Sequence, residues 1–275
     1  MNAPPLPRPA TTAPAPVRRA RAAPAPIIAV ASGKGGVGKT WLSVTLSTIW
    51  GRQNKKTLLV DCDLGLANVD VQLNIRPQAD LNSVLKGWVD LEAAVTPALG
   101  GPGRDGGFDL IAGHSGSGAL AGAKTEDAAR ISDGVRRLAP HYDRVIMDIS
   151  AGIDPTVQRF CRGADKLVIV TNEEPPAMMD AYALIKLMKL NGGALAAPWI
   201  VINLAETRLR GRKTFDQLAA ACEQHLGLRP RLAGVVQRDP RVPDAIRAQA
   251  PLAARHPQAQ ALEDAMRIAE ALSGE

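Results

Sequence analysis

Between residues 27 and 205, short aliphatic runs alternate with longer stretches of helical spacing. Ile27–Ala31, Thr57–Val60, Phe108–Ile111, Arg144–Ile149, Lys166–Val170 and Trp199–Ile202 are nearly continuous runs, as strands covered on both faces require. Between them Ala128, Ile131, Val135 and Leu138 keep three- and four-residue spacing, which predicts a helix with one buried face. Asp154 before Pro155 reads as an N-cap with a first-turn proline, and Pro175-Pro176 open a helix that Gly192 can close. Strands alternating with helices predict parallel β-α-β units. The expected fold class is therefore α/β: a single doubly wound, mostly parallel sheet with helices on both faces.

Residues 1–26 break this pattern. They hold eight prolines and eight alanines, with Leu6 and Val17 the only large aliphatics. Such a segment cannot bury enough surface to offset its ordering entropy, so a disordered arm is expected over 1–26 and a globular domain over 27–275. The arm also explains most of the net charge of +6: Arg8, Arg18, Arg19 and Arg21 face no acid there and contribute +4. The domain itself is close to neutral. Aromatic residues make up 3% of the chain, too few for base-stacking platforms. Cys62, Cys161 and Cys222 lie far apart with no C-x-x-C pair, which argues against a disulfide scaffold, an iron–sulfur cluster or a four-ligand zinc site and fits a reducing, cytoplasmic setting. No apolar run is long enough to span a bilayer.

Chemistry enters directly after the first strand. Gly33-Lys34-Gly35-Gly36-Val37-Gly38-Lys39-Thr40 fits G-x-x-x-x-G-K-[ST], placed between a strand and a helix. Glycines there let backbone N–H groups curl around phosphate oxygens, with the helix N-terminus adding partial positive charge. Lys39 would reach the β- and γ-phosphates, and the Thr40 hydroxyl would ligate Mg²⁺. Lys34 is surplus to that cradle; its charge is useful if it crosses to another subunit's nucleotide. Asp61-Cys62-Asp63 closes the next strand, where one carboxylate could hold water or metal and the other orient an attacking water. Asp148 ends a buried aliphatic strand, as a water-mediated Mg²⁺ ligand would, and Gly152 just beyond could offer its amide to the γ-phosphate.

Together the loop with Lys34 and Lys39, Asp61-x-Asp63 and Asp148-x-x-Ala151-Gly152 resemble the deviant Walker A ATPases of the MinD/ParA class. The stretch from Asp61 to Val71 is most similar to the MinD-like flagellar-number regulators of the FlhG/FleN group. The resemblance extends through Thr171–Pro175, Asp180–Lys186 and Val201–Asn203 to about residue 255. It implies ATP and Mg²⁺ as cofactors and an ATP-dependent homodimer with two nucleotides between facing subunits. It also implies slow hydrolysis and a protein partner of the flagellar or polar positioning machinery. By the same resemblance Lys34 crosses the interface, Asp63 positions the hydrolytic water, Asp148 is the Walker B acid and Asn203 reads adenine.

Two departures stand out. Thr45 occupies a position where relatives usually carry asparagine. The C-terminal segment, with Leu262, Met266, Ile268 and Leu272, carries Glu263, Asp264, Glu270 and Glu275 against a single Arg267. Anionic lipid would repel that charge, so an ordinary packed helix is expected in place of a membrane anchor. A rival reading is a ParA-type positioning ATPase holding non-specific DNA through Arg208, Arg210, Arg212 and Lys213. A third is a nucleotide-gated interaction module with negligible turnover. The expected location is cytoplasmic, with polar or transient membrane association as variants of the flagellar reading.

Overall fold

A computed structural model describes residues 24–65, 67–113, 125–192 and 197–274. Most of the proline-rich arm lies outside them. The described chain begins slightly before the expected start of the domain: Ala25 is buried, and its N–H donates to the Ala139 carbonyl at 3.2 Å.

Eight strands form one sheet: β1 (Ile27–Ser32), β2 (Thr57–Cys62), β3 (Val95–Ala98), β4 (Phe108–Ile111), β5 (Arg144–Ala151), β6 (Lys166–Thr171), β7 (Trp199–Ala205) and β8 (Arg231–Gln237). Their spatial order is β3-β4-β2-β5-β1-β6-β7-β8. Only the β3–β4 pairing is antiparallel. The longer helices are α1 (Lys39–Arg52), α4 (Thr125–Leu138), α6 (Pro175–Gly192), α7 (Arg208–Leu226) and α10 (Gln260–Ser273). Shorter ones are α2 (Val69–Gln72), α3 (Leu81–Leu85), α5 (Pro155–Arg162), α8 (Arg241–Arg247) and α9 (Leu252–Arg255).

β1 and β2 are buried from end to end, and β5 and β6 through their middles, which is why their sequences run without polar alternation. Two apolar layers result. One, with Ile27, Val145, Phe160 and Leu184, lies under α4 to α7; the other, with Ile28, Leu42, Trp50 and Ile268, lies under α1 and α10. Asp154 caps α5 as expected, its Oδ1 accepting the Thr156 and Val157 N–H groups at 2.8 and 3.1 Å. Helix α1 is buried almost all round, and it tolerates this because Thr45, Ser47 and Thr48 donate their hydroxyls to backbone carbonyls one turn back. Thr45 is therefore satisfied inside its own helix.

Helix α10 is the packed helix that its charge pattern predicts, with Leu262, Ile268 and Leu272 turned into the core. One of its acids is not on the surface at all. Asp264 is 1% exposed, pairs with Arg208 at 2.8 Å and Arg267 at 2.9 Å, and accepts the Gln237 N–H at 3.1 Å. It ties α7, β8 and α10 together. Arg210 pairs with Glu206 and lies 3.8 Å from Glu173, and Arg212 lies 3.8 Å from Asp216. The arginine cluster that suggested DNA contact is thus largely neutralised within the chain. Among the described residues no helix is long and apolar enough to cross a membrane.

Candidate functional site: a phosphate cradle at the strand ends

The loop between β1 and α1 owes its path to three glycines. Gly36 and Gly38 have φ of +78° and +92°, in the left-handed region open to glycine. At Gly33 a Cβ would stand 2.4 Å from the Asp180 backbone, so α6 packs directly on the start of the loop. Gly38 is the N-cap of α1 and offers no side chain, and the first turn of α1 holds no acid. The positive end of the helix is left open to an anion.

Asn203, at the end of β7, closes the loop from the other side. It is buried, and its Nδ2 donates to the Val37 carbonyl at 2.8 Å. In this structure its amide shapes the phosphate loop; the adenine contact implied by the resemblance would be additional to that task.

Below the loop lies a compact charged core. Asp61 and Asp148 are register partners on β2 and β5, both almost fully buried. Burial pushes Asp148 upward, while nearby Lys39 and hydrogen bonds from Thr40 and Ser43 oppose the shift; Ser43 Oγ donates to Oδ1 at 3.0 Å. Asp61 is pushed up to about 7 by burial and by Asp148. Three backbone donors hold it down: Asp63 N–H on Oδ1 at 3.1 Å, and Asn68 and Val69 N–H on Oδ2 at 3.0 and 3.1 Å. Asp61 is thus the anchor of the loop that follows β2, and of the two acids it is Asp63 that faces the cleft. Asp63 is half-buried, accepts the Gly65 N–H at 3.3 Å, and lines an open cleft of about 840 Å³ together with Gly36, Lys39, Thr40, Ser150 and Ala151.

Gly152 needs a correction. Its N–H donates to the Ser32 carbonyl at 2.9 Å, so the amide is spent on joining β5 to β1 and is not presented to the cleft. Contact with a γ-phosphate would require that bond to open. Lys34 also differs from expectation: it has a partner in its own chain, with Nζ 2.7 Å from Glu174 Oε2. Ser43 and Glu174 are the site residues that sequence reasoning missed. Ser43 sits one turn beyond Lys39 on α1, and that spacing was the available signal.

Sequence comparison gives the family: residues 28–252 match the CobQ/CobB/MinD/ParA nucleotide binding domain. The chain belongs to the MinD/ParA family. Similar relatives of this family are the antiactivator FleN of Pseudomonas aeruginosa, 33% identical over 223 residues (81% of this chain, 77% of that protein). The flagellum site-determining protein YlxH of Helicobacter pylori is 32% identical over 72% of this chain and 65% of that protein. The septum site-determining protein MinD of Bacillus subtilis is 32% identical over 78% of this chain and 77% of that protein. Among solved structures, MinD of Pyrococcus furiosus superposes with a TM-score of 0.75 at 23% identity, covering 90% of this chain and 98% of that one. MinD of Pyrococcus horikoshii, complexed with Mg-ADP, gives 0.75 at 22% identity and covers 91% and 96%. These likenesses establish the MinD/ParA P-loop fold for the eight-stranded sheet.

The residues present suit a nucleotide with a divalent cation. The glycine cradle and the open helix end favour phosphate. Two buried acids that raise each other's burden of negative charge, with Lys39 acting on Asp148 alone, favour a further positive charge beside Thr40 and Asp148. Magnesium usually takes few protein ligands and completes its shell with water and phosphate, which a pair of donors of this kind allows.

Proposed function

We propose that this chain is a dimerising ATPase switch that regulates the number or placement of flagella. ATP held with Mg²⁺ by the cradle would bring two copies together, and slow hydrolysis, stimulated by a protein partner, would release them. Thr40 and Asp148 would hold the cation, Lys39 would neutralise the β- and γ-phosphates, and Asp63 would orient the attacking water. The flagellar assignment is supported by the similarity to FleN and YlxH. Support for a partner comes by analogy from the MinC:MinD complex of Aquifex aeolicus, a 25% identical structure with a TM-score of 0.74 that covers 91% of this chain and 97% of that one.

The observation that carries the dimer is the rim of the cleft. Val71, Ile153, Met179, Leu209 and Ile246 are exposed large apolar side chains in segments leaving the C-terminal ends of parallel strands. Val71 and Ile246 line the cleft itself, and an apolar edge to a nucleotide site is a surface suited to another protein face. Lys34 is itself partly exposed, with its side chain directed to Glu174.

Light scattering with Mg²⁺ and a non-hydrolysable ATP analogue tests this. The parent protein should shift from monomer to dimer; Lys34→Ala should bind nucleotide within a few-fold of the parent and remain monomeric. Lys39→Ala should instead lose nucleotide affinity itself. Dimerisation of Lys34→Ala at the parental level would remove the cross-subunit role. Normal binding and dimerisation with no turnover would favour the nucleotide-gated interaction module.

A further inference from the structure

A lysine that acts across an interface has first to leave its own subunit, and the structure shows what it leaves. The backbone at residue 34 is fixed: Ser32 Oγ donates to the Lys34 carbonyl at 2.8 Å, and Gly33 lies against α6. From that fixed point the side chain runs along the rim to Glu174, in the turn just before α6. Glu174 is itself held in place, its N–H donating to Asn172 Oδ1 at 3.1 Å. We propose that Glu174 is a positioning residue that holds Lys34 within its own chain, so that assembly has to break this pair before the lysine can reach a partner's phosphates.

This rests on the cross-subunit reading of Lys34 and adds a restraint on it. The pair is well exposed, with side-chain accessibilities of 39% and 58%, so the restraint is light and reversible. Breaking it does not strand a lone carboxylate. Lys34 chiefly, with Asn172 and Arg238, holds Glu174 below the usual carboxylate range, and Arg238 stays behind when the lysine leaves. Met179, one turn into α6 and 71% exposed, would be covered in the same movement that releases the lysine. Glu174 thus sets the threshold at which ATP drives pairing, without touching the nucleotide.

Sedimentation velocity of the full chain with Mg²⁺ and a non-hydrolysable ATP analogue tests the restraint. Glu174→Gln and Glu174→Ala should each lower the protein concentration at half-dimerisation about three- to tenfold, the scale of two exposed ion pairs, one from each copy. Added to Lys34→Ala, Glu174→Gln should change neither the monomeric state nor nucleotide affinity, because Glu174 acts only through the lysine. An unchanged midpoint for the single variants would overturn the proposal. So would a raised midpoint, which would mean that Glu174 serves the partner's lysine in the assembled state. Dimerisation by Lys34→Ala alone would instead defeat the reading of Lys34 on which this rests, a separate and distinguishable failure.

Discussion

Asp61 and Asp63 are two residues apart and differ in every physical respect. Asp61 is sealed in the sheet and surrounded by backbone donors, so its carboxylate is a fixed point for the loop. Asp63 emerges onto the cleft, where a carboxylate can act on a water. Asp63→Ala should lower ATP hydrolysis roughly 10²-fold, the scale for losing one positioned acid–base group, while nucleotide binding and dimerisation survive. On the proposed switch, in which hydrolysis dissolves the dimer, that dimer should then last longer. Asp148→Ala should behave differently and lose Mg²⁺-dependent binding, since its carboxylate takes a hydrogen bond from Thr40 and lies in the field of Lys39. Steady-state turnover and a nucleotide titration with and without Mg²⁺ separate the two. A parental hydrolysis rate in Asp63→Ala would refute the water-positioning role. Most of these residues were legible because glycine, lysine and strand-end acids are fixed by the chemistry of phosphate. Glu174 was not, because an acid before a proline acquires meaning only from what lies opposite it in space, and for Ser43 the one-turn spacing from Lys39 was a signal too weak to single out an ordinary serine.

At the scale of elements, the strands that were legible are those buried on both sides, and the two that escaped notice are the edges. β3 reads Val95-Thr96-Pro97-Ala98, with one large aliphatic and a proline that cannot donate to a ladder. β8 includes exposed Arg231 and Gly234, and half-burial along its length removed the continuous run. Edge strands need less apolar surface, so their sequences announce themselves less. The C-terminal helix was legible as a packed helix, but the task of Asp264 was not, because a buried acid looks like any surface acid in sequence. Asp264→Ala would leave the half-buried Gln237 N–H without its acceptor and two half-exposed arginines without their shared partner. The loss should be about 2 kcal/mol, below the figure for a wholly buried pair because water screens both guanidinium groups. Urea unfolding should show a lower midpoint with unchanged slope; an unchanged midpoint would mean that Asp264 contributes little to joining these elements.

The molecule as a whole has one sheet and two covering layers, so its terminal helix cannot be removed as an appendage. Deleting residues 257–275 takes Leu262, Ile268 and Leu272 out of the layer that also holds Leu42 and Trp50 of α1. Each such side chain contributes roughly 1.5–3 kcal/mol of burial, which together rivals the whole stability of a typical domain. The truncated chain should therefore lose its cooperative thermal transition by circular dichroism. A persistent sharp transition would show that α10 is dispensable to the fold. The same packing leaves α10 little apolar surface to offer a lipid bilayer, with Met266 its one exposed large apolar residue.

The strand order also decides when, during synthesis, a nucleotide can first be held. β1 leaves the ribosome first among the strands, yet its neighbours are β5, through pairs such as Ile27 with Val145, and β6, through pairs such as Ile28 with Lys166. The phosphate loop hangs from a strand that has no neighbour until well over half the chain has been made, and Asn203, which fixes Val37, arrives later still. Contacts of such long sequence separation form slowly and late. ATP in the cell can therefore give no help to the early nascent chain and meets it only when the sheet is nearly complete. A ribosome that stops short of β7 releases a chain with the phosphate-binding sequence and without the site.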